Sequence, residues 1–243
     1  MHPVILRIGP FTIYSYGLML AFAFLLSLGL AKKQAESEGL DQEVITNLFV
    51  IAFISGIIGA RVLYVLQDTA YYFKFPTEIL MLQRGGLSWF GGLIAGVISS
   101  LVYLKRRRVA VIKVLDICIP YLALAQAVGR VGCLLNGCCY GPLSPNGLYF
   151  KAHDAVLLPT QLYSSVVLLV IFFLLRLLQK RRHRVGEVFF AYLLLYSFAR
   201  FFIEFIRPEH VAFFVGYTLF QLISIAIFFF ACLQLFLLKK PRE

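Results

Sequence analysis

Three arginines lie inside apolar surroundings, where an unpaired charge costs about 3 to 17 kcal/mol at mid-membrane depth. Arg61 sits in "GIIGARVLYVL", Arg130 opens "GRVGCLLNGCCYG" (residues 129–141), and Arg200 sits in "LLLYSFARFFIEFIRPE". Around Arg200, the residues Tyr196, Arg200, Glu204 and Arg207 recur at i, i+4, i+8 and i+11, which is one polar stripe on a helix. Two chemistries fit the stripe. One is an internal Arg200–Glu204 ion pair with Arg207 reaching to the membrane interface. The other is a cavity lining for an anionic headgroup, because guanidinium is a planar fork that stays protonated and matches phosphate.

The segment at 129–141 adds Asn136, Gly137 and three thiols, Cys133, Cys138 and Cys139, next to Arg130. The thiols admit four readings: small packing residues, a disulfide if the segment faces an oxidising compartment, a nucleophilic thiolate activated by the nearby cation, or a zinc site, for which no fourth ligand is evident. Cys118 and Cys232, within apolar runs, read as packing residues. The glycines of "RGGLSWFGGLIAG" read either as close helix packing or as a broken helix start whose bare N–H groups bind phosphate.

Membrane spans must position these groups. Of the 243 residues, 60% are hydrophobic and only 14% charged, against about 25% in a soluble domain, so most of the chain's solvent is lipid. The net charge of +11 comes in short clusters between apolar runs, which fits an anionic membrane surface and not nucleic acid. No cleavable signal peptide is evident at the N-terminus. Seven apolar runs are expected to be helical spans: 13–31, 45–66, 86–104, 114–128, 160–178, 187–205 and 213–238. The fourth is short and holds Asp116 and Pro120. Lys32–Lys33, the run 105–108 with Lys113, the run 180–184 and the run 239–242 follow alternate spans, so the positive-inside rule puts the N-terminus outside and the C-terminus in the cytoplasm. The expected fold is therefore all-α, a polytopic membrane protein of seven transmembrane helices, forming one integral-membrane domain over residues 1–243.

Six stretches in order resemble one family, prolipoprotein diacylglyceryl transferase. They are "IGPFTIYSYGLMLA", "GIIGARVLYVL", "RGGLSWFGGLIAG", "DICIPYLALAQAVGRVG" with the following Asn-Gly and Tyr-Gly pairs, "LPTQLY" and "YSFARFFIEFIRPE". The resemblance implies a multi-pass enzyme of the bacterial inner membrane. It would transfer the diacylglyceryl group of phosphatidylglycerol to the lipobox cysteine of a prolipoprotein and release glycerol 1-phosphate, the first step of lipoprotein maturation. Carried over by motif, Arg130 matches the signature arginine of lipid binding, and Arg200 the late arginine associated with catalysis. Glu204 and Arg207 match the charged positions after it, Tyr16 the tyrosine before the first glycine, and Asn136–Gly137 the Asn-Gly pair. Arg61, in the second motif, joins the expected substrate-binding set, and Glu204 the catalytic one.

The chain departs from that pattern at the proton-handling positions. Phe90 stands where many members carry a histidine, and Cys133 and Cys138 replace an asparagine and a glutamate of the best-known members. His153 and His210 are the histidines expected outside, near the site. The implied partners are phosphatidylglycerol, the prolipoprotein's lipobox region and membrane lipids, with no nucleic acid, cofactor or metal required. Two further classes stay open: a transferase using the same donor with another acceptor, and an anionic-lipid transporter, against which there is no inverted repeat between the halves.

Overall fold

The computed structural model describes residues 2–8, 11–81, 85–207, 213 and 216–238. His210, Arg84 and the basic run at 239–242 lie outside the described residues. Among these residues eight α-helices and two hairpins follow in order: β1 (Val4–Ile8), β2 (Phe11–Tyr14), α1 (Ser15–Ser37), α2 (Gln42–Gln67), α3 (Thr69–Lys74), α4 (Trp89–Arg106), α5 (Val111–Asn136), β3 (Leu143–Phe150), β4 (Ala155–Leu157), α6 (Thr160–Gln179), α7 (Glu187–Phe205) and α8 (Leu219–Leu237). The all-α expectation is amended by the two antiparallel hairpins, β1–β2 and β3–β4. Among the described residues, six helices are long and apolar enough to cross a membrane: α1, α2, α5, α6, α7 and α8. Many of their apolar side chains point outward; Leu25, Ile58, Phe173 and Phe229 are all more than half exposed, as lipid-facing residues must be.

The expected span at 114–128 proves to be the middle of a helix running from Val111 to Asn136, so Arg130 and Cys133 sit on its last turns and not in a loop. Pro120 lies inside this helix without breaking it, for a local reason. Proline lacks the N–H that would bond the carbonyl of Asp116 four residues back, and the Nε2 of Gln179 donates to that carbonyl instead, at 3.0 Å. The Asp116 carboxylate is buried and accepts from the backbone N–H groups of Gly186 and, at 2.8 Å, Phe189. It therefore caps the N-terminus of α7 from a neighbouring helix, where a negative charge is favoured. Within the last expected span, 213–238, the helix described is Leu219–Leu237, where Thr218 and Gln221 form a capping box.

The residues form two compact units, Met1–Ala31 with Leu115–Glu243, and Lys32–Val114. In the second unit, α2 and α4 run antiparallel in close contact. A Cβ on Gly91 would lie 2.3 Å from the Gly59 carbonyl oxygen, and one on Gly59 would lie 2.6 Å from that of Gly91. Here the glycines serve helix packing, and Ser55 and Ser99 add a 2.6 Å hydroxyl contact between the same helices. An ion pair of 2.8 Å joins Glu43, in the first turn of α2, to Arg107 at the end of α4. In the first unit, the core joins α5, α6 and α7 through Ile119, Ala123, Ile171, Leu175, Val188 and Tyr192.

Candidate functional site

All the expected site residues except Arg61 lie in the first unit. The cationic stripe is built on α7. Arg200 and Glu204, one turn apart, form an ion pair of 2.5 Å, and Arg207 lies 4.0 Å from the same Glu204 oxygen. The other oxygen of Glu204 accepts from the hydroxyl of Thr218 at 3.3 Å. Phe220, in the first turn of α8, lies under the Arg200 guanidinium at 5.1 Å from ring centre to Cζ, a cation–π placement that holds the plane of the fork. Tyr196 stacks on Tyr192, whose hydroxyl donates to Gln126 on α5.

One end of the Arg200 fork is thus committed to Glu204. Its other terminal nitrogen, Nη1, is buried without a hydrogen-bond partner among the described residues. Leaving a charged donor unpaired costs more than a kilocalorie, so this nitrogen is chemically available to an incoming acceptor oxygen. Arg130, half-buried on α5, acts electrostatically on Arg200, on Tyr16 and on Cys139. Three guanidiniums therefore share a neighbourhood with one carboxylate, an excess of positive charge that suits an anion. Tyr16 is placed by the α1–α5 crossing, where a Cβ on Gly132 would lie 3.0 Å from Met19 and 3.4 Å from the Tyr16 ring.

Asn136 and Gly137 end α5. Gly137 takes φ 78, its N–H bonds Leu134 O at 3.2 Å, and the N–H of Cys138 bonds Cys133 O at 3.0 Å. This is the Schellman closure, in which the left-handed residue is nearly always glycine. It folds Cys138 back over Cys133. The loop is then pinned from α6 and from the β3–β4 hairpin: Gln161 Nε2 donates to Cys138 O at 2.6 Å, Thr160 Oγ1 to Cys139 O at 2.7 Å, and His153 Nε2 meets Gly137 O at 3.1 Å. Gly141 packs where a Cβ would lie 3.1 Å from the Ile206 carbonyl, bringing the loop to the end of α7.

The sulfur atoms of Cys133, Cys138 and Cys139 consequently lie within 4.8 Å of one another. No disulfide joins Cys133, Cys138 or Cys139, so the disulfide alternative is not the state this structure adopts. Hydrogen bonds from Cys133 and Cys138, and then the charges of Arg130 and Arg207, hold the Cys139 thiol well below its ordinary pKa, against the effect of burial.

Arg61, in the second unit, spends its donors on backbone. Its guanidinium bonds the carbonyls of Glu78, Ile79, Gly85 and Gly86 at 2.5 to 2.9 Å, between the rings of Tyr64 and Tyr72. It ties down the segment that leads into α4 and borders a cleft of about 380 Å³. Phe90 lies in the first turn of α4.

Sequence reasoning missed Thr218 and Phe220, and it singled out "LPTQLY" without a role for Thr160 or Gln161. The signal for that pair was a Thr-Gln step directly after a proline at the start of an apolar run; Thr218 was marked only by the capping-box spacing to Gln221.

Comparison with known proteins decides the family. The profile of the prolipoprotein diacylglyceryl transferases matches residues 3–237. The chain belongs to this family. Phosphatidylglycerol–prolipoprotein diacylglyceryl transferases of Clostridium tetani (strain Massachusetts / E88) and Bacillus cereus (strain G9842) are 35% and 34% identical to it, over 86% and 85% of this chain and 86% and 81% of their own lengths. That of Limosilactobacillus reuteri (strain DSM 20016) is 32% identical over 100% of this chain and 93% of its own. With six helices of membrane-spanning length and apolarity among its described residues, this chain is a multi-pass membrane protein homologous to bacterial enzymes.

Proposed function

We propose that this protein transfers the diacylglyceryl group of phosphatidylglycerol to the lipobox cysteine of a prolipoprotein, with release of glycerol 1-phosphate. The observation that carries the reading is the buried Nη1 of Arg200, without a partner among the described residues, within a cationic cluster of Arg130, Arg200 and Arg207, in a chain whose relatives bear that enzyme name. As the glycerol carbon–oxygen bond breaks, negative charge grows on phosphate oxygens, and fixed cations aimed there stabilise the transition state. In this reading Arg200 serves catalysis at the leaving phosphate, Glu204 orients the fork, and Arg130 and Arg207 seat the headgroup. Tyr16, Asn136 and Gly137 shape its surroundings, and Arg61 orders the segment before α4 within the second unit.

The proposal includes seven spans in one membrane domain over residues 1–243, with the N-terminus outside the bacterial cytoplasmic membrane. Its support is α4, which packs antiparallel along the membrane-length α2 and, at 18 residues, reaches about 27 Å, close to the hydrocarbon thickness. The basic ends of α4 and α6 agree with that orientation.

The test incubates the purified protein with labelled phosphatidylglycerol and a lipobox peptide. Thioether-linked peptide together with glycerol phosphate is the expected result. Headgroup release without lipidated peptide would instead identify a transferase with another acceptor, and headgroup-dependent flux in liposomes without either product would identify a transporter.

A further inference from the structure

Transfer to a thiol needs a thiolate, and an ordinary cysteine, with a pKa of about 8.5, is mostly protonated at neutral pH. We propose that Cys133, Cys138 and Cys139 form a three-thiolate site for a zinc ion whose fourth position receives the acceptor's cysteine. This rests on the transferase reading above and goes further, naming how the acceptor is activated.

The geometry carries the site. Three sulfurs within 4.8 Å of one another are less than an ångström or so from the separation of about 3.8 Å that zinc–sulfur bonds of about 2.3 Å impose in a tetrahedron. A disulfide would use two of the thiols and strand the third. Three protein ligands with an open position are the pattern of catalytic zinc, whereas structural sites close with four. Among the described residues, no further histidine, cysteine or carboxylate joins the group.

The cluster is also held in place. The Schellman closure stacks Cys138 on Cys133, and Gln161 and Thr160 fix the next two carbonyls. Cys139 itself takes φ 60, a left-handed conformation that costs a non-glycine residue about 1 kcal/mol and persists only where surroundings impose it. Three thiolates around one divalent ion leave a negative charge, and a fourth thiolate leaves two. The guanidinium charges of Arg130 and Arg207, which act on Cys139, offset that charge, and they are the same groups assigned to the phosphate. Donor and acceptor would thus meet at one place.

The step balances without an added reagent. On binding zinc the acceptor thiol gives its proton to solvent, since a coordinated thiol is deprotonated outright. The thiolate's electron pair forms the new carbon–sulfur bond at the glycerol carbon. The carbon–oxygen bond breaks, and its pair leaves on the phosphate oxygen of glycerol phosphate.

The full-length protein, purified in detergent, is assayed for zinc content and for transfer, with Cys133→Ser, Cys139→Ser and Cys232→Ser variants checked for thermal unfolding. One zinc per chain is expected in the wild type and in Cys232→Ser, and less than about a tenth of that in the other two. Removing zinc from the wild type with a chelator should slow transfer by about 10²-fold or more, the scale of a lost proton acceptor, with recovery on adding zinc. With cobalt in place of zinc, sulfur-to-metal absorption should rise by about one third when a lipobox peptide supplies a fourth thiolate, and not with its Cys→Ser counterpart. Absence of bound zinc, or zinc content unchanged in Cys139→Ser, overturns the site. Full transfer by the zinc-free wild type overturns the activating role while leaving the transferase reading standing. Stoichiometric zinc with no transfer in either state overturns the transferase reading, and the acceptor role with it.

Discussion

Arg200→Lys separates a catalytic cluster from an ornamental ion pair. The substitution keeps the charge and much of the stem, but it replaces a two-ended fork by a single ammonium. In the structure one end of the fork, Nη2, lies 2.5 Å from Glu204, and the other, Nη1, is buried without a partner among the described residues. A lysine nitrogen can serve Glu204 or the leaving phosphate at this depth, and not both in fixed geometry. The loss is then that of one preorganised donor at the developing charge, about 10² to 10³ in kcat, or about 2.7 to 4 kcal/mol. Because the missing contact strengthens only as charge builds, kcat and kcat/KM should fall together, with KM little changed. The assay is the initial rate of glycerol phosphate release and of peptide mass gain in micelles containing phosphatidylglycerol. An Arg200→Lys enzyme within about threefold of wild-type kcat would refute the reasoning, since a mere ion pair within one helix survives as Lys–Glu at little cost.

Other consequences are structural. Asp116→Ala removes the cap on two N–H groups at the start of α7 and should cost about 1 to 2 kcal/mol, seen as earlier thermal unfolding in detergent. Gly91→Leu puts side-chain atoms where the Gly59 carbonyl already lies. It should cost more than about 1 to 3 kcal/mol and lower the yield of folded protein, whereas Val97→Leu, on an exposed face, should not. Gly137→Ala forces alanine into φ 78 at about 1 kcal/mol or more. Amide exchange at Cys138 should quicken as the Schellman closure loosens.

The helical membrane architecture was legible because lipid leaves the backbone few options and the apolar runs are long. The stripe from Tyr196 through Arg200 to Glu204 was legible for the same reason, since α7 spans residues 187–205 as expected, whereas Arg207 lies just past its end. The true extent of α5 was not. Pro120 and Asp116 read locally as a disruption, while their compensation comes from Gln179, Gly186 and Phe189, some 60 to 70 residues away in sequence. The glycines of α2 and α4 could be read two ways until their partners were known, because contact between backbones leaves no mark in either helix alone. The convergence of three sulfurs was hidden too: it depends on a helix closure and on hydrogen bonds from Thr160 and Gln161, more than 20 positions on.

The most direct test of the central claim is transfer by an Arg130→Ala protein whose membrane insertion and thermal unfolding match the wild type. Loss of both lipidated peptide and glycerol phosphate is predicted, because the headgroup's seat loses a cation that neighbouring Arg200 does not replace. Wild-type transfer by that variant would contradict the account.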